Sequence, residues 1–296
     1  MLKYGKRANQ TKRRMIDQPL ADIDSWAAYF SAAELPVLRH TLNALDKLRD
    51  HAENANARML SAIILQDPLM TLRVLAFLEQ NRGKRQETDI TTIGRALMMI
   101  GVGPFFTVFD KLPLVEDQLK THPHALLGLL KVISRARKAT HWAGEWAVNR
   151  RDLNVDEIAV VTLLHDVTEV LMWCFAPALA LKVRDMQAKD ASLRSADAQR
   201  EVYGVALDEL QAKLVHLWRL PQLLVDLLDP ANAEQPRVQN VKLAVDLARH
   251  SSHGWNDAAL PDDFSAIENL LHINRENLLS KLGVEAGELA TAAQPQ

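Results

Sequence analysis

Cysteine is almost missing from this sequence: Cys174 stands alone, so no disulfide can form within the chain and a thiolate zinc cluster is excluded. Its neighbours Trp173 and Phe175 predict a packed, unreactive thiol, and such cysteine usage fits a reducing cytoplasm. Glycine is scarce too, with 11 in 296 residues, which leaves too few tight turns for an all-β sandwich or barrel. Neither charge sign dominates. Lys and Arg number 35 against 37 Asp and Glu, a formal net charge of −2, so no global field draws the chain onto nucleic acid or an anionic membrane. No run of about 18 apolar residues is read, so no transmembrane helix is expected. The patterns GxGxxG, GxxxxGKS/T, GxSxG and HExxH are all absent, which removes support for nucleoside-triphosphate and serine-hydrolase chemistry.

What remains is a chain rich in Leu and Ala, 48% hydrophobic, with apolar positions at helical spacing along most of its length. Lys3, Lys6, Arg7, Lys12, Arg13 and Arg14 precede the first acid, Asp17, and no apolar stretch follows them. That is a flexible basic leader, not a signal peptide. Helical spacing from Asp22 to Leu48 breaks once, at Glu34-Leu35-Pro36, and returns from Ala55 to Leu65. Asp67-Pro68 is a helix start: the aspartate caps free amides, and proline fits a first turn where its missing N–H costs nothing. Asn81-Arg82-Gly83 ends that helix, Thr91 or Thr92 caps the next, Gly101 stops it, and Gly103-Pro104 opens another. The short Pro104–Leu112 segment carries only Lys111 as a base, so this helix pair is not expected to read DNA.

Farther on, the spacing predicts helices over 126–148, over 155–186 with a break at Ala176-Pro177, over 191–217, and over 238–249. One or two closing helices are expected between Phe264 and Leu282. Trp142 and Trp146, at i and i+4, read as packing residues. His122 with His124, and His250 with His253, read as solvated loop histidines.

One stretch carries chemistry. Val160-Val161-Thr162-Leu163-Leu164-His165-Asp166 is an apolar helix ending in a His-Asp doublet, two side chains suited to a divalent transition metal and to activating water. On one continuous helix they would stand about 100° apart, with Glu169 on the same face three or four residues on, as a cap, a salt-bridge partner or an extra ligand.

The doublet does not stand alone. Leu35-Pro36-Val37-Leu38, the run from Ile63 through Asp67-Pro68 to Thr71, the run from Ile93 to Gly101, Leu163-Leu164-His165-Asp166, Tyr203-Gly204 and Trp218-Arg219-Leu220-Pro221 follow one another in an order and spacing that resemble the HDOD domain. That domain is the output-domain relative of the HD metal-dependent phosphohydrolases, and the resemblance covers roughly Ala32 to His250, with gaps. It also shows departures. The family's His-Ser pair falls on Arg135 and Ala136, and an arginine, always protonated, cannot replace an imidazole ligand. His141, almost two turns later, would need a shifted register. The family's Ile-Gly-Lys after the doublet is Val167-Thr168-Glu169 here. A family histidine and glycine fall on Leu207 and Gln211, paired histidines give way near Leu228-Asp229, and an aspartate falls on Arg249. A catalytic metal needs about three protein ligands, and only His165 and Asp166 can be placed.

The expected fold is all-α, an N-terminal helical bundle packed on an HD-like helical bundle. Residues 1–30 are expected to form the basic leader and first helix, 31–255 the HDOD-like domain, and 256–296 a C-terminal helical extension with a disordered tail. The resemblance implies a non-catalytic interaction module of bacterial signal transduction, with no cofactor or metal, around a remnant pocket of His165, Asp166, Glu169 and Arg135. With no sensor or catalytic domain in the sequence, it is expected to act through a protein partner or an anionic small ligand. Two alternatives stand beside it: a residual metal-dependent phosphohydrolase, and a non-hydrolytic binder of a nucleotide or cyclic dinucleotide in which Arg135 meets phosphate.

Overall fold

A computed structural model describes residues 15–51, 53, 55–81, 90–190 and 192–284. Of these described residues 72% are helical, and none forms a strand. The basic leader as far as Arg14, the Arg82-Gly83 helix end and the tail after Val284 lie outside the described residues.

The helices run α1 (Ile23–Ala32), α2 (Arg39–Asp50), α3 (Ala57–Ile64), α4 (Pro68–Gln80), α5 (Ile93–Ile100) and α6 (Val102–Val108). Then come α7 (Val115–Gln118), α8 (Pro123–Asn149), α9 (Val155–Leu164), α10 (Val167–Phe175), α11 (Pro177–Lys189) and α12 (Ser195–Tyr203). The last are α13 (Leu207–Leu217), α14 (Gln222–Asp226), α15 (Pro236–His250), α16 (Leu260–Leu271) and α17 (Arg275–Leu282).

Among the boundaries that differ from the sequence reading, three lie at the doublet and at two glycines. The stretch 155–186 is broken twice, at Ala176 and also at His165-Asp166. The stretch 191–217 is split at Gly204, whose φ of +73° is a left-handed helix stop. And α6 begins at Val102, because Gly101, at φ +83°, both closes α5 and opens α6. An 18-residue window within Val155–Phe175 reaches a mean hydropathy of 1.6, enough by length and composition to cross a membrane, although His165, Asp166 and Glu169 interrupt it, so it is not an unbroken apolar run. It is 78% buried inside the protein and interrupted at the doublet, as a core segment is.

The described fold divides into two compact units, 1–133 with 166–228, and 134–165 with 229–296. In the first unit, Asp67 ties three segments together. It is fully buried, and its carboxylate accepts from Leu69 N (2.9 Å) and Met70 N (3.2 Å) at the start of α4 and from Leu38 N (2.8 Å) at the start of α2. The segment Leu35–Leu38 is held further by Arg73, which donates to the Leu35 carbonyl, and by a short bridge in which Val37 N donates to Pro113 O (2.8 Å) and Val115 N to Val37 O (3.0 Å). Trp26 and Phe30, both fully buried, lie on one stripe of α1, which packs against α13. Trp26 Nε1 donates to Tyr203 O (3.3 Å) and Trp218 Nε1 to Ser31 Oγ (3.2 Å), so the indoles bury without stranding their N–H groups.

In the second unit α15 packs on α9 and α16. Trp142 and Trp146 are buried as read. Arg237, at the start of α15, reaches Glu157 (2.6 Å) and Asp152 (3.2 Å). His250 is not a solvated loop residue: it ends α15, and its Nδ1 lies 2.6 Å from Asp263 Oδ2 of α16, both side chains being largely covered. Lys138 sets its ammonium over the rings of Trp142 (4.7 Å) and Trp255 (5.1 Å) and donates to Ser251 Oγ (3.2 Å).

Candidate functional site at the His165-Asp166 turn

The apolar run before the doublet buries Ile158, Val160, Val161, Leu163 and Leu164, which anchors α9 up to its last residue. His165 follows as the C-terminal cap, its N–H donating to Thr162 O (3.3 Å). Asp166 is the next helix's N-cap residue, with backbone angles outside the helical region (φ −99°, ψ 26°). The doublet therefore sits in a turn between two helices, not on one helix face, and the 100° argument does not apply to it. Both side chains are half-buried. Aspartate is a favoured N-cap, yet the Asp166 side chain makes no capping bond to α10, while its carbonyl accepts from Val170 N (3.1 Å).

The boundary between the two compact units falls inside the doublet. Arg135 and His165 belong to the second unit, Asp166 and Glu169 to the first. Within the first unit Asp166 and Glu169 open α10 one turn apart. Glu169 Oε1 accepts from Trp173 Nε1 (3.3 Å), a partner one further turn along that the sequence reading missed and that the i,i+4 spacing could have shown. Burial pushes the Tyr203 hydroxyl well above its usual pKa, and the nearby Glu169 charge adds to that rise. Glu169 is thus bonded to one aromatic side chain, Trp173. Arg135 is half-buried on α8 in the second unit.

Two features beside the doublet fix α10. The Trp173 ring lies against Gly128 of α8, so closely that a Cβ at 128 would stand 2.5 Å from two of its ring carbons. Thr168 Oγ1 donates to Gln211 Oε1 (3.0 Å), a buried pair linking α10 to α13. The sequence reading takes both positions as departures from the HDOD pattern, and the structure pairs them. Cys174 is buried, as read. Burial, with the Asp67 charge adding to it, pushes its thiol far above the ordinary range, so the thiolate is suppressed. Among the described residues no group of three or more His, Cys, Asp or Glu side chains is arranged to hold a metal ion.

No curated protein matches the chain closely in sequence. Solved structures match in fold. A virulence factor from Campylobacter jejuni superposes with a TM-score of 0.66 at 19% identity, covering 93% of this chain and 98% of its own. The MmoQ response regulator from Methylococcus capsulatus does so with a TM-score of 0.62 at 18% identity, covering 86% and 99%. The HDOD domain matches residues 35–233, more than half of the sequence and all of the segments from Leu35 to Pro221 that suggested it. The chain belongs to the HDOD domain family.

Proposed function

We propose that this chain is a non-catalytic signalling module that works by binding a protein partner, its ancestral HD metal site having decayed. The observation that carries the reading is the donor set at the doublet. A hydrolytic metal centre takes about three protein ligands and one open position. Here two donors sit in a turn, an arginine occupies the place where the family pattern puts a histidine, and no third donor is grouped with them among the described residues. Such a set does not fit a catalytic metal. Family membership and the response-regulator name of the Methylococcus structure support the signalling part. The near-neutral charge supports a partner other than DNA or a membrane, and the single buried cysteine supports a cytoplasmic setting.

The test is turnover. Purified full chain, incubated with Mn²⁺ and bis(p-nitrophenyl) phosphate, is expected to release no nitrophenolate above the rate of a His165→Ala, Asp166→Ala double variant. Release that disappears in that variant would establish a residual phosphohydrolase and overturn the reading. Arg135 favours one further reading, a pocket for a phosphate-bearing ligand without turnover, because a half-buried cation stands where the family would hold a metal ligand. In that case Arg135→Ala removes nucleotide binding, measured by calorimetry, and leaves the melting temperature unchanged. Equal binding by both proteins rules it out.

A further inference from the structure

We infer that the outer faces of α3, α5 and α6 form a docking surface for an acidic amphipathic helix of a partner protein. The inference deepens the reading of the chain as an interaction module and rests on it.

The three helices adjoin, α3 packing on α5 and α5 on α6, all within the first unit. Each buries one side: Leu60 and Ile64 from α3, Ile93, Ala96 and Leu97 from α5, Phe105 from α6. The other sides are apolar as well. Met98 is 73% exposed, Met99 52%, Met59 44% and Val108 39%. From Ala96 to Phe109 the sequence has no charged residue, and Gly103, Pro104 and Thr107 add further uncharged exposed surface. Apolar side chains scattered singly on a surface need no explanation, but a run of them on neighbouring helices marks an interaction site. Three of the four large ones are methionines, whose unbranched, polarisable side chains adapt to an incoming surface. An amphipathic helix meets such a face with anchors at i, i+3, i+4 and i+7.

Charge selects the partner's sign. Arg95 precedes Met98 and Met99 by three and four residues and so shares their face of α5, while Arg58 adjoins Met59 on α3. Both arginines are exposed, and no carboxylate pairs with either among the described residues. The first acid after Arg95 in the sequence, Asp110, is engaged with Arg49 at 3.3 Å. An apolar strip flanked by two arginines suits a helix with an apolar stripe and acidic flanks, and it repels a basic one.

The full chain labelled at its methionine methyl groups tests this by NMR, with a synthetic amphipathic peptide carrying Leu on one face and Glu on the other as the probe. Met59, Met98 and Met99 are expected to shift together and saturate, while Met70 and Met172, both fully buried, stay put. The same peptide with Lys in place of Glu should bind at least about fivefold more weakly, and Arg95→Glu should reverse that preference. Absence of shifts at millimolar peptide, or equal binding of both peptides, would overturn the inference. So would methionine signals that move with protein concentration alone and recover in Met98→Ser, since a second copy of the chain would then cover the face. Because the peptide readout is independent of turnover, phosphoester hydrolysis would sink the non-catalytic reading without touching this one, and the converse holds.

Discussion

Asp67 and Asp166 each follow an apolar stretch and each precede a helix, yet the fold uses them in opposite ways. Asp67 is fully buried, and its carboxylate serves Leu38, Leu69 and Met70, joining the starts of two helices. Asp166 is half-buried and leaves the first amides of α10 without a side-chain cap. An aspartate whose oxygens satisfy backbone amides is part of the scaffold. One that stands at a helix start without capping it is held in place by other groups, and its carboxylate is not what secures the helix. For α10 those other groups are the Trp173 ring on Gly128 and the Thr168–Gln211 pair.

The largest effect should come from Asp67→Ala, which removes a cap and strands buried amides, a cost of about 3 kcal/mol or more by urea unfolding. Asp166→Ala should cost less than about 1 kcal/mol in the same measurement. Equal costs would break the comparison. The pH dependence sharpens it. Burial holds the Asp67 carboxyl above its ordinary value of 3.8, with the surrounding amides and Thr41 pulling the other way. A raised pKa means the folded state binds the proton more tightly than the unfolded one. This group's contribution is therefore fullest below the ordinary value and is lost as pH climbs through the raised one. The cost of Asp67→Asn relative to the parent should accordingly shrink between acid and neutral pH. A cost that grows with pH contradicts the assignment.

If α10 is secured by packing, disturbing that packing must matter more than removing Asp166. Gly128→Ala drives a methyl into the Trp173 ring and should cost about 1–3 kcal/mol. Thr168→Val or Gln211→Leu alone should cost about 1–3 kcal/mol by leaving a buried polar partner, whereas the double variant should recover much of the loss, read as a double-mutant cycle. The smallest effect is a gain. His272 ends α16 at φ +54°, and His272→Gly should raise stability by up to about 1 kcal/mol by relieving that left-handed backbone.

The contrast also shows why one aspartate was legible in the sequence and the other only half so. Asp67-Pro68 carries its own local signal, and the structure places the cap and the first-turn proline where that signal put them. Thr92 as the cap of α5 and the proline break at Pro36 were legible for the same reason. His165-Asp166 has apolar residues on both sides and no glycine or proline. Periodicity therefore ran straight through the turn and merged α9 with α10. The pairing of His250 with Asp263, and of Thr168 with Gln211, joins residues from different helices, and no local pattern encodes such contacts. The all-α class needed only composition and spacing. Family membership needed the order of several short segments, each weak by itself.

The most direct test of the central claim is the metal stoichiometry of the full chain. Protein purified without chelators, equilibrated with Mn²⁺, Fe²⁺ or Zn²⁺ and passed through a desalting column, should retain well under one equivalent by elemental analysis, with no difference between the parent and His165→Ala. Retention near one equivalent that is lost in His165→Ala would contradict the account and restore the doublet as a working metal centre.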